Sequence, residues 1–299
     1  MVLTQTQLRP MSFGEILDGT FSLYRRHFFA MFGAALIAFI PGWLLYAAVM
    51  ARVSWVDSQV PPPDALPIAL LAGLVGIVGF ALAMGALTWQ VSRAYLGEPV
   101  SIGDALGSGF GRILALLVVL FLAYLALLGP TVLAGAVAAI LIPTLAATGA
   151  GIIVGGVVGF LAVAVALVLT PIVASGLFAV VPAVIVERKG PIAALRRSWA
   201  LSKGAWLRIM GVLGVSWLIA IMPSFAVGIV GGIGAVLFGS GTGTVSTVHL
   251  YVQQGLSSVV WALTFPFLIG CTVLQYYDRR IRQEGYDLEV AAESLAAVD

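Results

Sequence analysis

Side chains suited to acid–base, nucleophilic or metal chemistry are few in this chain, and they are scattered. Its 299 residues include two histidines, His27 and His249, one cysteine, Cys271, and 13 acidic residues. No H-E-x-x-H segment sets two imidazoles on one helix face for zinc. No C-x-x-C pair, D-x-D-x-D calcium loop or G-x-x-x-x-G-K-S/T phosphate loop occurs either. In the six-span arrangement developed below, His27 and His249 fall on opposite sides of a membrane and cannot meet in one site. Cys271 lies deep in an apolar run, where it reads as a small core residue, and a single cysteine forms no intramolecular disulfide. The expectation is a protein that is not an enzyme and that uses no metal and no cofactor.

The basic residues are more informative. Gly190–Arg208, GPIAALRRSWALSKGAWLR, is the one strongly basic run in the chain. Arg196, Arg197 and Lys203, interleaved with Trp199 and Trp206, are candidates for binding anionic lipid headgroups or an acidic partner surface. Each such residue near an anionic leaflet contributes about 1 kcal/mol. Arg25 and Arg26 early in the chain, and Arg279 and Arg280 near its end, belong with them. The plainer reading is that all of these set topology and anchor the interface. Nucleic acid is not an expected partner, because no basic domain stands away from the membrane to receive it.

What positions these residues is an unusually apolar chain. It is 61% hydrophobic and 9% charged, with a mean hydropathy of +1.09, so a soluble globule would lack a polar coat and the bilayer must act as solvent. Apolar runs occupy roughly 28–50, 68–95, 112–142, 152–186, 209–238 and 250–277. Each is long enough to cross a core of about 30 Å at about 1.5 Å per residue. The first is too long for a signal-peptide core and is expected to be retained. Loops are expected at Arg52–Pro67, which contains Pro61-Pro62-Pro63, at Pro143–Gly151, and at Gly239–His249. Pro171 and Pro182 are expected to break the fourth run.

A spacing of 89 residues recurs. Ser12, Ser101 and Gly190 are matched in this way, as are Leu17, Leu106 and Leu195, and Phe21, Phe110 and Trp199; Pro41 and Pro130 repeat it, while Pro223 comes four residues late. Each copy opens with a short segment of helical apolar spacing. Ser12 with Glu15 matches a capping box, Ser101 with Asp104 approximates one, and Pro191 follows Gly190 at a first helical position. In the third copy Ile192, Leu195, Trp199 and Trp206 form the apolar stripe. Such a helix lies in the headgroup plane before the chain turns inward. The expected fold is all-α and integral to the membrane, with six spans arranged as three repeats of one interfacial amphipathic helix and two spans. Residues 1–11 and 279–299 are tails, and 12–278 form one membrane domain with units 12–100, 101–189 and 190–278.

Fourteen of the 15 Lys and Arg residues fall on one side of this arrangement, and only Arg52 on the other. That asymmetry predicts a multi-pass protein of the cell (inner, cytoplasmic) membrane with both termini cytoplasmic. No charge falls in the central part of a span, which argues against an ion-coupled transporter. The polar residues Gln90, Ser175, Ser216, Ser224 and Thr264 are too scattered to draw a path. Glycines 73, 76 and 79, and 151, 155 and 159, are expected to let helices approach closely, within one chain or between copies in a homo-oligomer.

Three segments, LRPMSFGEILDGTFSLYRRHF (Leu8–Phe28), ALRRSWALSKG (Ala194–Gly204) and YYDRRIRQEGYDLE (Tyr276–Glu289), resemble bacterial and archaeal membrane proteins labelled as the membrane domain of glycerophosphoryl diester phosphodiesterases. The resemblance covers nearly the whole chain and implies a six-span fold. It does not imply the hydrolase activity, because the metal-binding acidic residues and paired histidines of that family's soluble barrel have no match here. The expected function is non-catalytic organisation of membrane lipids, or of partner proteins, at the cytoplasmic face. The alternative is a transporter or permease subunit working with a separate ATPase.

Overall fold

The computed structural model describes residues 9–52, 65–145, 151–238, 247–286 and 288, and all regular structure among them is helical. The helices are α1 (Phe13–Arg26), α2 (Phe28–Arg52), α3 (Ala65–Tyr95), α4 (Ile102–Phe110), α5 (Ile113–Leu145), α6 (Gly151–Gly176), α7 (Val180–Ile185), α8 (Pro191–Ser202), α9 (Trp206–Phe238) and α10 (Thr247–Glu284). Among the described residues six stretches are long and apolar enough to cross a membrane: those in α2, α3, α5, α9 and α10, and one that runs through α6 into α7.

Local chemistry accounts for where the short helices begin. At α1 the Ser12 hydroxyl accepts from the Glu15 amide at 3.3 Å, and the Glu15 carboxylate accepts from the Ser12 amide at 2.6 Å, so both halves of a capping box are made. At α4 Ser101 accepts from the Asp104 amide at 3.1 Å and donates to its carboxylate at 2.7 Å. At α8 Gly190 is the N-cap and Pro191 takes the first turn. Gly204, in the left-handed region at φ +75, turns the chain from α8 into α9.

The long helices pack chiefly as the pairs α2–α3, α5–α6 and α9–α10. The last helix is the spine of the fold. Its 38 residues make roughly 57 Å of helix, and half of its apolar 18-residue window is buried inside the protein, whereas none of the corresponding window of the stretch that begins in α6 is. Tyr276 and Tyr277 are the largest fully buried side chains. Around them one core joins α1, α2, α3, α9 and α10, with Ile16, Met31, Leu87, Ile209 and Leu274 at its centre. A second, smaller core joins α3, α5, α7 and α8 through Ala81, Leu116, Val181, Val184 and Ala194.

Several boundaries differ from expectation. Pro143 lies inside α5 instead of opening a turn, and the Thr144 hydroxyl donates to the carbonyls of Ile140 and Leu141 at 3.0 and 2.9 Å, occupying acceptors beside the residue that lacks an N–H. Pro171 lies inside α6 and Pro182 inside α7, and the break between these helices falls at Leu177–Ala179. A proline clashes with the carbonyl four residues before it, which for Pro182 is that of Phe178, within the break. The last helix does not stop at Tyr277 but continues to Glu284. His249 stands in the first turn of α10 and not in a loop. The Pro61-Pro62-Pro63 spacer, most of the Gly239–His249 loop, residues 146–150 and both chain ends lie outside the described residues.

The two glycine series also part company. A Cβ on Gly79 would run into the backbone carbonyl of Ala38, and one on Gly42 would come within 2.9 Å of Gly76 Cα, so α2 and α3 meet backbone to backbone there. In α6, by contrast, a Cβ on Gly159 meets nothing within 4 Å, and one on Gly155 makes only an ordinary contact with Ile142. Gly79→Ala is therefore expected to destabilise the protein by about 1–3 kcal/mol through overpacking, and Gly159→Ala to leave it unchanged. Thermal unfolding of the two variants in detergent checks this, and equal shifts would contradict it.

Candidate functional site

Two carboxylates anchor the contacts where the segment before α1, the start of α9, α8 and the C-terminal turns of α10 come together, and of the residues singled out by the sequence Arg197, Arg279 and Arg280 lie among them. Asp278 is fully buried. Its oxygens accept from the Met11 amide at 2.8 Å and the Arg282 Nε at 2.9 Å, and the Arg208 guanidinium lies 3.1 Å away. Arg282 and Arg208 both also donate to the Met11 carbonyl, the former at 2.8 Å. A buried carboxylate loses several kcal/mol of hydration unless its lone pairs are used. Here a backbone amide and two guanidinium groups use them. In consequence the segment before α1, the start of α9 and the end of α10 are held at one point.

The second carboxylate, Glu187, follows α7. It accepts from the Tyr276 hydroxyl at 2.7 Å and from the Arg197 Nε at 2.8 and 2.9 Å, and Lys189 Nζ lies 2.9 Å away. Arg197 reaches on to Glu284, donating from Nη2 at 2.7 Å and from Nη1 to the other oxygen. Its planar fork thus bridges two carboxylates on two elements, a geometry that lysine's single ammonium would not reproduce. Burial works to raise the Glu187 pKa, but the hydrogen bonds from Tyr276, Lys189 and Arg197 outweigh it and hold the carboxyl below its ordinary value. At Glu15 the Ser12 amide and the Arg9 guanidinium bring the carboxyl down to about 2.

The nine candidate cations and tryptophans therefore divide. Arg279 is buried and donates to the carbonyls of Leu201 and Lys203 at 2.9 and 3.0 Å, capping the C-terminal end of α8 where a cation complements the helix dipole. Arg280 lies over the Tyr286 ring at 3.9 Å and pairs with Glu284. Along with Arg197, these two have their guanidinium groups engaged inside the protein. Arg25 and Arg26 in the last turn of α1, Arg196 on α8, and Lys203 are exposed. Trp199 packs edge-on against Trp206 at 4.9 Å, directly over Gly176, where a Cβ would collide with the indole ring. On α8, Ala194, Ser198 and Leu201 are buried; of the expected apolar stripe Leu195 packs partly against the second core, while Ile192 and Trp199 are exposed. The small Ser198 is needed inside, because its hydroxyl donates to the Gly176 carbonyl at 2.7 Å and accepts from the Ala179 amide at 3.0 Å, closing the break between α6 and α7.

The sequence sets Asp278, with Arg282 and Glu284, only in the charged group after the last span, whose role is either binding or anchoring, and does not single out Glu187. Buried acidic residues flanked by arginines at the end of an apolar run were the available signal. Of the scattered polar residues, Ser175, Ser216 and Thr264 donate to carbonyls of their own helices, whereas Gln90 reaches from α3 to the Ala30 carbonyl of α2 at 3.0 Å. Cys271 is buried and free. Among the described residues no three His, Cys, Asp or Glu side chains group as a metal site would require.

Two predictions follow from these carboxylates. Asp278→Ala strands two cations and an amide, and is expected to lower stability by about 3–5 kcal/mol, whereas Asp18→Asn, at an exposed position of α1, has little effect; unfolding in detergent measures both. Because the folded-state pKa of Glu187 is depressed, its stabilisation is complete above an unfolded value of about 4.3 and is lost as pH falls through the lower folded value. Glu187→Gln should accordingly be less stable than wild type at neutral pH and show a shallower acid limb in a melting-temperature series; parallel limbs would refute the assignment. No protein-family model, curated protein or solved structure matches this chain.

Proposed function

We propose that this protein is a non-catalytic, multi-pass protein of the cytoplasmic membrane that organises anionic lipids, or proteins that share their acidic character, along its cytoplasmic face. The observation that carries this reading is the arrangement of exposed residues: a collar of cations and large apolar side chains on the helices tied together by the Asp278 and Glu187 clusters, which form a buried node. Arg25, Arg26, Arg196 and Lys203 are exposed. So, on the same short helices and in the first turns of the long helices α2 and α9 that follow them, are large apolar side chains: Phe21, Phe29, Ile192, Trp199 and Leu207, with Phe29 and Leu207 more than four-fifths exposed. Apolar groups that enter the acyl boundary beside cations that reach the headgroups are what an interfacial helix requires.

In this reading α1, α4 and α8 are three copies of one interfacial helix, each followed by a pair of spans. Support comes from their N-caps, Ser12, Ser101 and Gly190, which keep the 89-residue spacing. The sequence's one-sided excess of Lys and Arg supports a cytoplasmic position for these helices and for both termini. The segments that resemble the phosphodiesterase membrane domain include α1, much of α8 and the end of α10, which supports a likeness of architecture and interface and not of hydrolysis.

Replacing exposed cations tests the collar without disturbing the node. Arg196→Glu with Lys203→Glu should cut the anionic phospholipid that co-purifies with the protein severalfold, at about 1 kcal/mol per site, while recovery from membranes is unchanged. Unaltered lipid recovery, read by mass spectrometry, would remove the proposal. Orientation has its own test: Lys203→Cys in a Cys271→Ala background should react with an impermeant thiol reagent only after the cytoplasmic face is opened. Labelling of intact cells would overturn the topology.

A further inference from the structure

A second group of cations, none of them in the collar, converges on a cleft between the end of α3, α4 and the segment after α7. The cleft has a volume of about 570 Å³ and is lined by Arg93 and Trp89 of α3, Ser108 of α4, Arg112, and Arg188. That volume lies within the usual range of about 300–1,000 Å³ for small-molecule sites.

Three features make it more than a charged surface. First, the arginines are held in place by backbone chemistry and by one another. Arg112 Nη1 donates to the Arg188 carbonyl at 2.9 Å. Arg188 sits at φ +54, a conformation that side-chain-bearing residues seldom adopt. The Lys189 amide, donating to the Ala183 carbonyl at 3.0 Å, and the neighbouring Glu187 anchor fix it there. Second, the charge is incompletely neutralised. Arg93 pairs with Glu98 and lies over the Trp89 ring at 5.0 Å, but no described carboxylate forms an ion pair with Arg112 or Arg188. Three guanidinium groups therefore face one carboxylate, leaving an excess close to the charge of a phosphate group at neutral pH, about −1.5 to −2 for a monoester. Third, the cleft lies at one end of two apolar stretches: Trp89 and Arg93 fall in the last turns of Leu66–Tyr95, and Arg112 directly precedes the stretch that begins at Ile113, the level at which aromatic and basic side chains meet lipid headgroups.

We propose that this cleft binds a single phosphate group, gripped by the forks of Arg112 and Arg188, with Ser108 as a hydroxyl donor and Arg93 as a third cation. Guanidinium forks match the planar spacing of two phosphate oxygens, which is why arginine and not lysine suits such a site. The phosphate belongs either to an anionic lipid headgroup or to a free ion. The proposal rests on the reading that this face meets an anionic leaflet, but it needs none of the collar residues.

Native mass spectrometry of the full chain separates the possibilities. The protein is released from micelles doped with phosphatidic acid or with phosphatidylcholine, or is equilibrated with inorganic phosphate alone. Arg188→Gln, whose side chain makes no bond within the described structure, should weaken retention of the anion about tenfold, and Arg112→Gln with Arg188→Gln about a hundredfold. The Arg196→Glu, Lys203→Glu collar variant should keep this one tightly held species while losing the looser ones. Selective loss of phosphatidic acid identifies a lipid as the source, and selective loss of inorganic phosphate identifies a free ion. If Arg188→Gln retains both anions as wild type does, the site does not exist, whatever the double variant does. If instead the collar variant loses nothing while the cleft variants lose their anion, the cleft stands and the collar falls.

Discussion

A carboxylate removed from water must be surrounded by donors, and Asp278 obtains them from three parts of the chain that lie far apart in sequence. The Met11 amide comes from the segment before α1, Arg208 from the first turn of α9 and Arg282 from the next turn of α10. None of the three could be given up without leaving charge unbalanced in a poorly hydrated place. The long helices themselves cannot supply such specificity. Lipid tails are as apolar as leucine, so packing of apolar rods in a bilayer has no hydrophobic drive to select one arrangement. The polar ends of the rods do the selecting, and Asp278 is the point where the first and last parts of the fold are forced to agree.

Glu187 repeats this logic one helix away. It draws the segment after α7 onto Tyr276 of α10 and onto Arg197 of α8, while Arg197 ties Glu284 to the same group. Arg279 then closes the end of α8 by capping its last carbonyls. The C-terminal turns of α10 thus serve as a polar hub, with alternate residues directed at different neighbours. This explains why the helix continues past Tyr277 although its apolar stretch is already complete. It also explains why exposed charge is left mainly on residues such as Arg25, Arg26 and Arg196, which face away from the hub.

Much of the fold was legible from residue types alone. The helix start at Ser12 was readable because a capping box is a local contract between Ser12 and Glu15, complete within four residues. The six apolar stretches were readable because crossing a bilayer imposes a length. What could not be read was which arginine faces inward. Arg196 and Arg197 are adjacent and chemically identical, yet one is exposed and the other is shared between Glu187 and Glu284. That choice depends on carboxylates 10 and 87 residues away. The burial pattern of α8 has a related reason: in lipid the large apolar residues can face outward, and small ones such as Ala194 and Ser198 allow close approach within the protein. Proline positions made a break in the fourth run legible, but not that it would fall at Leu177–Ala179, between Pro171 and Pro182, nor that Pro143 would be accommodated inside α5.

That break bears on how the chain is made. Between α6 and α7 the Gly176 carbonyl and the Ala179 amide find their partner in a single hydroxyl, that of Ser198, about twenty residues further on. Until the ribosome has synthesised α8 and that helix has docked, both groups must be served by water or by the insertion machinery. The fourth crossing segment of a nascent chain therefore cannot reach its final hydrogen-bonded form on its own, and its completion waits on the unit translated after it.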